Sequence, residues 1–275
     1  MEKRTKILII LLITIGISLL SYPHVSNFIA EHQQRKLINN YLETLETLNE
    51  ERYTDLYKKA LAYNQELYKL QQKNILDDKG LDNYKDTLKI DGTDVMGFIE
   101  IPSINIRIPI YHGTDENVLQ VGVGHYGYTS LPIGGNNTHA VLFGHSALPR
   151  AKLFTDLDKL NVGDYFDIGV LNQKLYYRIF DIEVVEPDEL TNQIPVIKDK
   201  DLVTLVTCTP YGVNSHRLVI TGERIGIIDD AESNQVAEKK NAHVLRVCII
   251  TSVVLAGIAV VIVIMIRRKK QKKHA

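Results

Sequence analysis

The amino-acid sequence predicts a mainly β protein: an eight-stranded β-barrel with an N-terminal helical arm, flanked by transmembrane helices. Three observations carry this. Eight short apolar runs rich in β-branched residues, 97–101, 104–110, 118–122, 139–143, 165–170, 175–185, 202–208 and 216–221, are separated by Gly, Pro and Asn. Runs of that length between turn residues read as strands, and their number and spacing suit a closed or nearly closed barrel. Upstream, Tyr53, Leu56, Ala60, Tyr63, Leu67 and Leu70 recur at steps of three and four, the narrow apolar stripe of a helix. Finally, two uncharged apolar stretches, 7–20 and 247–266, bracket the chain.

The second stretch has 20 residues, enough to span a bilayer. The first has only 14 before Ser21-Tyr22-Pro23, short for a span but extensible through its flanks. A signal-peptide core is the alternative; the lack of a small-x-small cleavage site favours an uncleaved anchor. Lys3, Arg4 and Lys6 precede the first stretch, and Arg267, Arg268, Lys269, Lys270, Lys272 and Lys273 follow the second. The positive-inside rule then places both tails in the cytoplasm and everything between them outside the cell. Of 32 basic and 33 acidic residues, those nine cations and Glu2 lie in the tails; 23 basic and 32 acidic remain, about −9. That excess of acid excludes nucleic acid as a partner.

The predicted order is therefore an anchor or signal peptide (1–23), a helical arm and loop (24–93), the barrel (94–225), a stalk (226–246), and a span with a basic cytoplasmic tail (247–275). The arm, helical over 25–72, lifts the barrel from the membrane and packs on it by its stripe. Asp77-Asp78-Lys79-Gly80 and Asp91-Gly92 mark 74–93 as a loop. Within the barrel, Pro109 suits an edge position or a bulge. Residues 152–160 read as one short helix. The segment between Val185 and Asp201, with Pro187 and Pro195, is long enough to wall a groove.

Chemistry concentrates at one hairpin. The strand 202–207 runs into Cys208, Pro210 and Gly212 then force a turn, and the chain returns with Arg217 near the start of the next strand. This sets a thiol at a sheet rim beside a fixed guanidinium, a usual arrangement for a reactive cysteine. Cys248 lies in the C-terminal span, so Cys208 has no partner for an internal disulfide in the exported part. It is either reactive or a small buried hydrophobe. Cysteine catalysis also needs an imidazole. Of nine histidines, His24, His32, His243 and His274 lie in arm, stalk or tail, and His216 alternates to the face opposite Arg217. His112, His125, His139 and His145 remain. His145 follows an apolar strand and Gly144, placing it at a rim; His139 begins that strand and belongs at its far end; His112 and His125 sit in turn-rich segments. No acidic cluster has calcium-binding spacing, and neither metal nor cofactor is expected.

The same residues resemble the signature of the sortases, cysteine transpeptidases of Gram-positive surfaces: Thr204-Leu-Val-Thr-Cys208 with Arg217 nine residues on, and Gly144-His145 after a strand. Longer matches resemble class C, the pilus-assembling sortases. They are Gly97-Phe-Ile-Glu-Ile-Pro102, Ile108-Pro-Ile-Tyr-His-Gly-Thr114, Val121-Gly-Val-Gly-His125, Thr129-Ser-Leu-Pro132, Leu153-Phe-Thr-Asp-Leu157 and Thr207-Cys-Thr-Pro-Tyr-Gly-Val213. The resemblance covers about residues 22–225 and implies a sortase-type barrel. It implies Cys208 as nucleophile, His145 as general acid/base and Arg217 as the group that binds substrate and stabilises the oxyanion. The implied partners are pilin or surface proteins bearing an LPxTG-like sorting signal, and an acceptor amine on a pilin lysine. The alternatives are attachment of surface proteins to a peptidoglycan amine, or a non-catalytic membrane protein that binds pilins or wall.

The chain departs from the class C pattern twice. Pilus sortases commonly carry an Asp-Pro-aromatic lid before the barrel, yet no proline occurs between Pro23 and Pro102. The segment 74–93, with Leu76, Leu81 and Tyr84 as its available plugs, is expected to be mobile and to leave Cys208 accessible. After His145 stand Ser146-Ala147, where the family often has Arg-Gly.

Overall fold

The structure, a computed structural model, describes residues 2–73 and 81–226. Residues 74–80, the stalk beyond Gly226 and the expected C-terminal span with its tail lie outside the described residues.

The arm is two helices. α1 (Glu2–Glu46) runs unbroken through Pro23. Among the described residues it is the one helix long and apolar enough to cross a membrane, and Leu11, Leu12, Ile13, Ile15, Ile17, Leu19 and Leu20 on it are all exposed. Its second half docks on the barrel through buried Ile38, Tyr41 and Leu45. There the Tyr41 hydroxyl donates to the Met96 carbonyl (3.2 Å) and accepts from the Leu171 amide (2.8 Å), two backbone groups left over from the sheet. α2 (Glu50–Gln72) begins at Asn49, whose side chain accepts from the Arg52 amide (2.8 Å), with Glu50 and Glu51 favourably placed in the first turn. The stripe expected from its periodicity is the buried face: Leu56, Ala60, Tyr63 and Leu67 are buried, Tyr53 and Leu70 half-buried. Asn64 joins that face and forms a two-way bond with Leu131, accepting from its amide (2.7 Å) and donating to its carbonyl (3.1 Å).

Eight strands close the barrel: β1 (Val95–Ile101), β2 (Ile106–His112), β3 (Val123–His125), β4 (Thr138–Phe143), β5 (Tyr165–Val170), β6 (Gln173–Val185), β7 (Asp201–Thr209) and β8 (His216–Arg224). Their order is β1-β2-β3-β4-β7-β8-β6-β5, returning to β1. β2/β3 and β4/β7 are parallel, and every other pair is antiparallel. Inside, Phe166 stacks on Tyr177 (5.5 Å between centroids), a fit that requires glycine at 222, where a Cβ would lie 2.7 Å from the Phe166 ring. Pro109 falls just outside the β3 ladder, which begins at Ile110.

Three local expectations change. The run 118–122 is not a strand: it lies across α3 (Glu116–Leu119) and the turn after it, and pairing starts only at Val123. Asp115 at the N-cap position and Glu116 in the first turn are an acidic helix start, which prevails over the short apolar run. Residues 152–160 form only a 3-10 turn (Leu157–Lys159), because Leu153, Phe154, Leu157 and Leu160 all turn inward and Leu153 takes φ +37°. The described part of the loop before the barrel, 81–93, is docked rather than free. Tyr84, Thr87, Leu88 and Ile90 are buried, Tyr84 edge-on to His112 (5.2 Å) and beside Tyr63 (6.2 Å). Tyr84 is thus no plug for the thiol; it wedges between α2 and the barrel.

Candidate active site

Three of the four candidate histidines serve the scaffold. His125 is fully buried; its Nε2–H donates to the Ser130 carbonyl (2.8 Å), leaving Nδ1 to accept from the Tyr84 hydroxyl (2.9 Å). Burial pushes its pKa down to about 3, so the ring stays neutral. His112 donates Nε2–H to the Thr87 carbonyl (2.7 Å), and burial lowers its pKa too. His139 lies opposite Leu202 at the start of β7, far along the strand from the cysteine. Its Nδ1–H donates to the Pro195 carbonyl (2.9 Å) and its Nε2 accepts from Thr204 (2.7 Å), whose oxygen lies 2.9 Å from that of Thr221. This chain ties the β6–β7 connection to the barrel wall.

Cys208 is the penultimate residue of β7, half-buried and unbridged. Its antiparallel partner is Arg217, the second residue of β8, so thiol and guanidinium leave the sheet on one face as direct neighbours. Arg217 is held by its own turn: Nη1 donates to the carbonyls of Asn214 (3.3 Å) and His216 (3.1 Å). The turn closes through the amides of Val213 and Asn214, which share the Pro210 carbonyl (3.0 Å each). Pro210 and Gly212 thus make the expected turn, and Gly212 takes φ +74°, where a Cβ is strained.

His145 reaches the same rim by a different strand. Phe143 at the end of β4 pairs with Val206, and the Gly144 amide extends that ladder by donating to the Val206 carbonyl (3.1 Å). Thr207 returns a bond from its hydroxyl to the Gly144 carbonyl (2.7 Å), and the Ser146 hydroxyl donates to the Cys208 carbonyl (2.7 Å). The residues on either side of His145 are therefore fastened to 206–208. Glycine at 144 is needed because a Cβ there would sit 2.6 Å from the Phe154 ring. The imidazole keeps 26% of its surface exposed, and its Nε2 lies 3.3 Å from both carboxylate oxygens of Glu116. Glu116 is held below the usual carboxylate range by the Gln120 side-chain amide, which donates at 2.5 Å, and secondly by His145.

Along the face that carries Cys208, the neighbouring strands present Val141, Val206 and Val219, all buried. Phe143 continues this face into an aromatic pair, Tyr126 (5.5 Å from Phe143) and Tyr128 (4.8 Å from Tyr126). The 3-10 segment Pro187–Gln193 belongs to the β6–β7 connection that His139 ties down. Tyr211 and Val213 stand 70% exposed on the turn after the cysteine. Among the described residues no group of His, Cys, Asp or Glu has the makings of a metal site.

Sequence reasoning singled out Cys208, Arg217 and His145, and the fold gathers all three at one end of β4, β7 and β8. It did not find Glu116, hidden in a segment read as leading into a strand, nor Ser146.

A closed barrel with a thiol and a guanidinium paired across one hairpin and an imidazole on the adjoining strand end defines the sortase arrangement. Residues 99–225 match the Sortase domain family. The chain is 33% identical over 132 residues to sortase D of Bacillus subtilis (strain 168), covering 47% of this chain and 63% of that relative's length. Among solved structures, Streptococcus agalactiae sortase C1 is 41% identical with a TM-score of 0.65, covering 71% of this chain and 97% of that one. Clostridium perfringens sortase C, solved with the C-terminal cell wall sorting motif, is 44% identical with a TM-score of 0.61, covering 69% and 98%. The chain belongs to the sortase family, and its structural neighbours are class C members of it.

Proposed function

We propose that this protein is a membrane-anchored cysteine transpeptidase that cleaves an LPxTG-like sorting signal and joins the new carboxyl end to a pilin lysine amine. The observation that carries the reading is the direct cross-strand pairing of Cys208 with Arg217, with His145 fastened to the same strand through Gly144 and Ser146. Cys208 Sγ attacks the scissile Thr–Gly carbonyl as the thiolate. Arg217, anchored by two carbonyls, directs its remaining donors at the oxygen that gains negative charge. As the tetrahedral species collapses, the C–N bond breaks, His145 gives its proton to the departing amine, and the acyl group stays on Cys208 as a thioester. In the second half an acceptor amine attacks the thioester, its proton passes to His145, and the Cys208 thiolate is released.

One structural neighbour carries the C-terminal cell wall sorting motif, and another, 40% identical, is the sortase C1 of GBS Pilus Island 1. The first supports a sorting-signal substrate here, and the second supports a role in pilus assembly. The uncharged stretch 7–20 in α1 and the flanking basic residues support an anchored chain with the barrel outside the cell; the stalk and second span are proposed from sequence alone.

The test incubates the detergent-solubilised full chain with a peptide bearing the sorting signal and with two acceptors, a lysine-bearing pilin domain and a cell-wall amine mimic. Mass spectrometry of the products is expected to show a thioester on Cys208 and an isopeptide to the pilin lysine, with Cys208→Ala and His145→Ala inactive but folded. Transfer only to the wall amine would move the protein to the wall-attaching reading, and turnover by Cys208→Ala would end the cysteine mechanism.

A further inference from the structure

We infer that Glu116 is a positioning residue for His145: its carboxylate takes the Nε2–H and so leaves Nδ1 as the nitrogen that exchanges the proton with Cys208 and the departing amine. The inference rests on the proposed role of His145 but adds a residue and a proton location to it.

The geometry is specific. Both oxygens of Glu116 stand 3.3 Å from Nε2, so the carboxylate meets the ring through one nitrogen. Gln120, one helical turn on, also donates to Oε1 and so restrains the carboxylate. A carboxylate accepts hydrogen bonds only, so a neutral imidazole beside it must carry its proton on Nε2. The imidazolium formed after proton uptake keeps that bond and gains an adjacent negative charge.

The backbone beneath Glu116 is equally fixed. The Gly113 amide, three residues before α3, donates to both the Tyr84 hydroxyl (2.9 Å) and the His125 carbonyl (3.1 Å). Gly113 itself takes φ +81°. The turn lies so close to β3 that a Cβ on Gly124 would meet the Gly113 carbonyl oxygen at 2.3 Å and Leu119 at 3.1 Å. The docked segment 81–93, through Tyr84, thus seats the helix whose first residue holds the catalytic imidazole. The carboxylate remains 67% exposed, so its effect is orientation and tautomer more than a large electrostatic gain.

Three variants of the full chain in detergent micelles separate this inference from the function itself: Glu116→Ala, Glu116→Asp and His145→Ala. Each is assayed for thioester formation and, except the last, labelled with ¹⁵N-histidine so that long-range proton–nitrogen spectra report which ring nitrogen of residue 145 carries the proton. In the parent, Nε2 is expected to be the protonated nitrogen at a pH where the ring is neutral. Glu116→Ala should give a mixed tautomer signal and a kcat for acylation about fivefold to tenfold lower with KM unchanged. Glu116→Asp should recover part of both. A Glu116→Ala variant with parent kcat and an unchanged tautomer overturns the inference while leaving the function standing. An active His145→Ala removes the function reading instead. Loss of kcat in Glu116→Ala that comes with a lower melting temperature and an unchanged tautomer also overturns it, since that pattern is structural support only.

Discussion

Asp167→Asn should make this protein more stable at alkaline pH and leave it unchanged in acid. Asp167 projects from β5 between its cross-strand partners Glu100 and Tyr176. It is 1% exposed, and neither carboxylate oxygen has a hydrogen bond. The Lys174 ammonium approaches to 3.3 Å but also serves Glu100 at 3.7 Å. Burial pushes the Asp167 pKa up to about 7, and Glu100 adds to that against the pull of Lys174 and Arg107. Below about pH 4 the group is neutral in the folded and unfolded chain alike, and the site costs nothing. As pH rises towards 7 the unfolded chain ionises freely while the folded one resists, so stability falls; above 7 both are charged and the loss is complete. A displacement of about three units from the ordinary value sets a ceiling of about 4 kcal/mol. Asparagine stays neutral throughout and escapes this cost, which is already net of the attraction to Lys174, so a gain of about 2 kcal/mol at pH 8, half the ceiling, is expected, or about 4–8 °C for a domain of this size. Thermal unfolding of parent and variant, followed by circular dichroism at pH 3, 5 and 8, should show curves that coincide at the lowest pH and separate as pH rises. A variant less stable by the same margin at all three values would refute the reasoning and make the Lys174 ion pair a net stabiliser.

Two further outcomes follow from the same structure. Arg217→Lys should lose at least about tenfold in acylation rate although the charge survives, because one ammonium cannot hold the turn carbonyls and still present a planar pair of donors; near-parental turnover would mean the residue supplies only field. Tyr84→Phe should cost about 1–3 kcal/mol in denaturant unfolding, since it leaves Nδ1 of buried His125 without a donor and removes one of the two acceptors of the Gly113 amide; an unchanged unfolding curve would show that the wedge is held by packing alone.

The barrel was legible in the sequence because its signals are local and redundant. Alternation, β-branching and Pro or Gly punctuation coincide at seven of the eight strands, and the α2 stripe predicts four of its buried residues without reference to the barrel. The exception, β3, has three residues, too few for periodicity to speak, and it follows a helix start that only the acidic pair Asp115-Glu116 signals. At the site, Cys208 and Arg217 were legible because a hairpin makes near neighbours in sequence into neighbours in space. His145 reaches them through the parallel β4–β7 pairing of strands 63 residues apart, as between Val141 and Thr204, which no local pattern reveals; the family resemblance supplied it. Tyr84 was misread for a related reason. Charges and glycines around it describe the loop's surface, while its anchorage depends on His125 and Gly113 from the barrel, contacts invisible along the chain.

The Ser146-Ala147 departure now has a physical account. Ala147 takes φ +63°, a left-handed conformation that glycine occupies freely and that strains alanine by about 1 kcal/mol. Alanine thus holds here a backbone shape that glycine would take without strain. Two bonds offset the strain: the Ala147 amide donates to the Thr155 hydroxyl (3.2 Å), and Ser146 donates to the carbonyl of Cys208 itself (2.7 Å). A long arginine at 146 has its donors far from the backbone and would reach outward; a serine hydroxyl, one carbon from the chain, closes the short gap between strand ends. Ser146 thus supplies a direct bond between the histidine loop and the cysteine strand. The exposed carboxylate of Glu116 meets Nε2 of His145 at 3.3 Å with no arginine at 146 to compete for it.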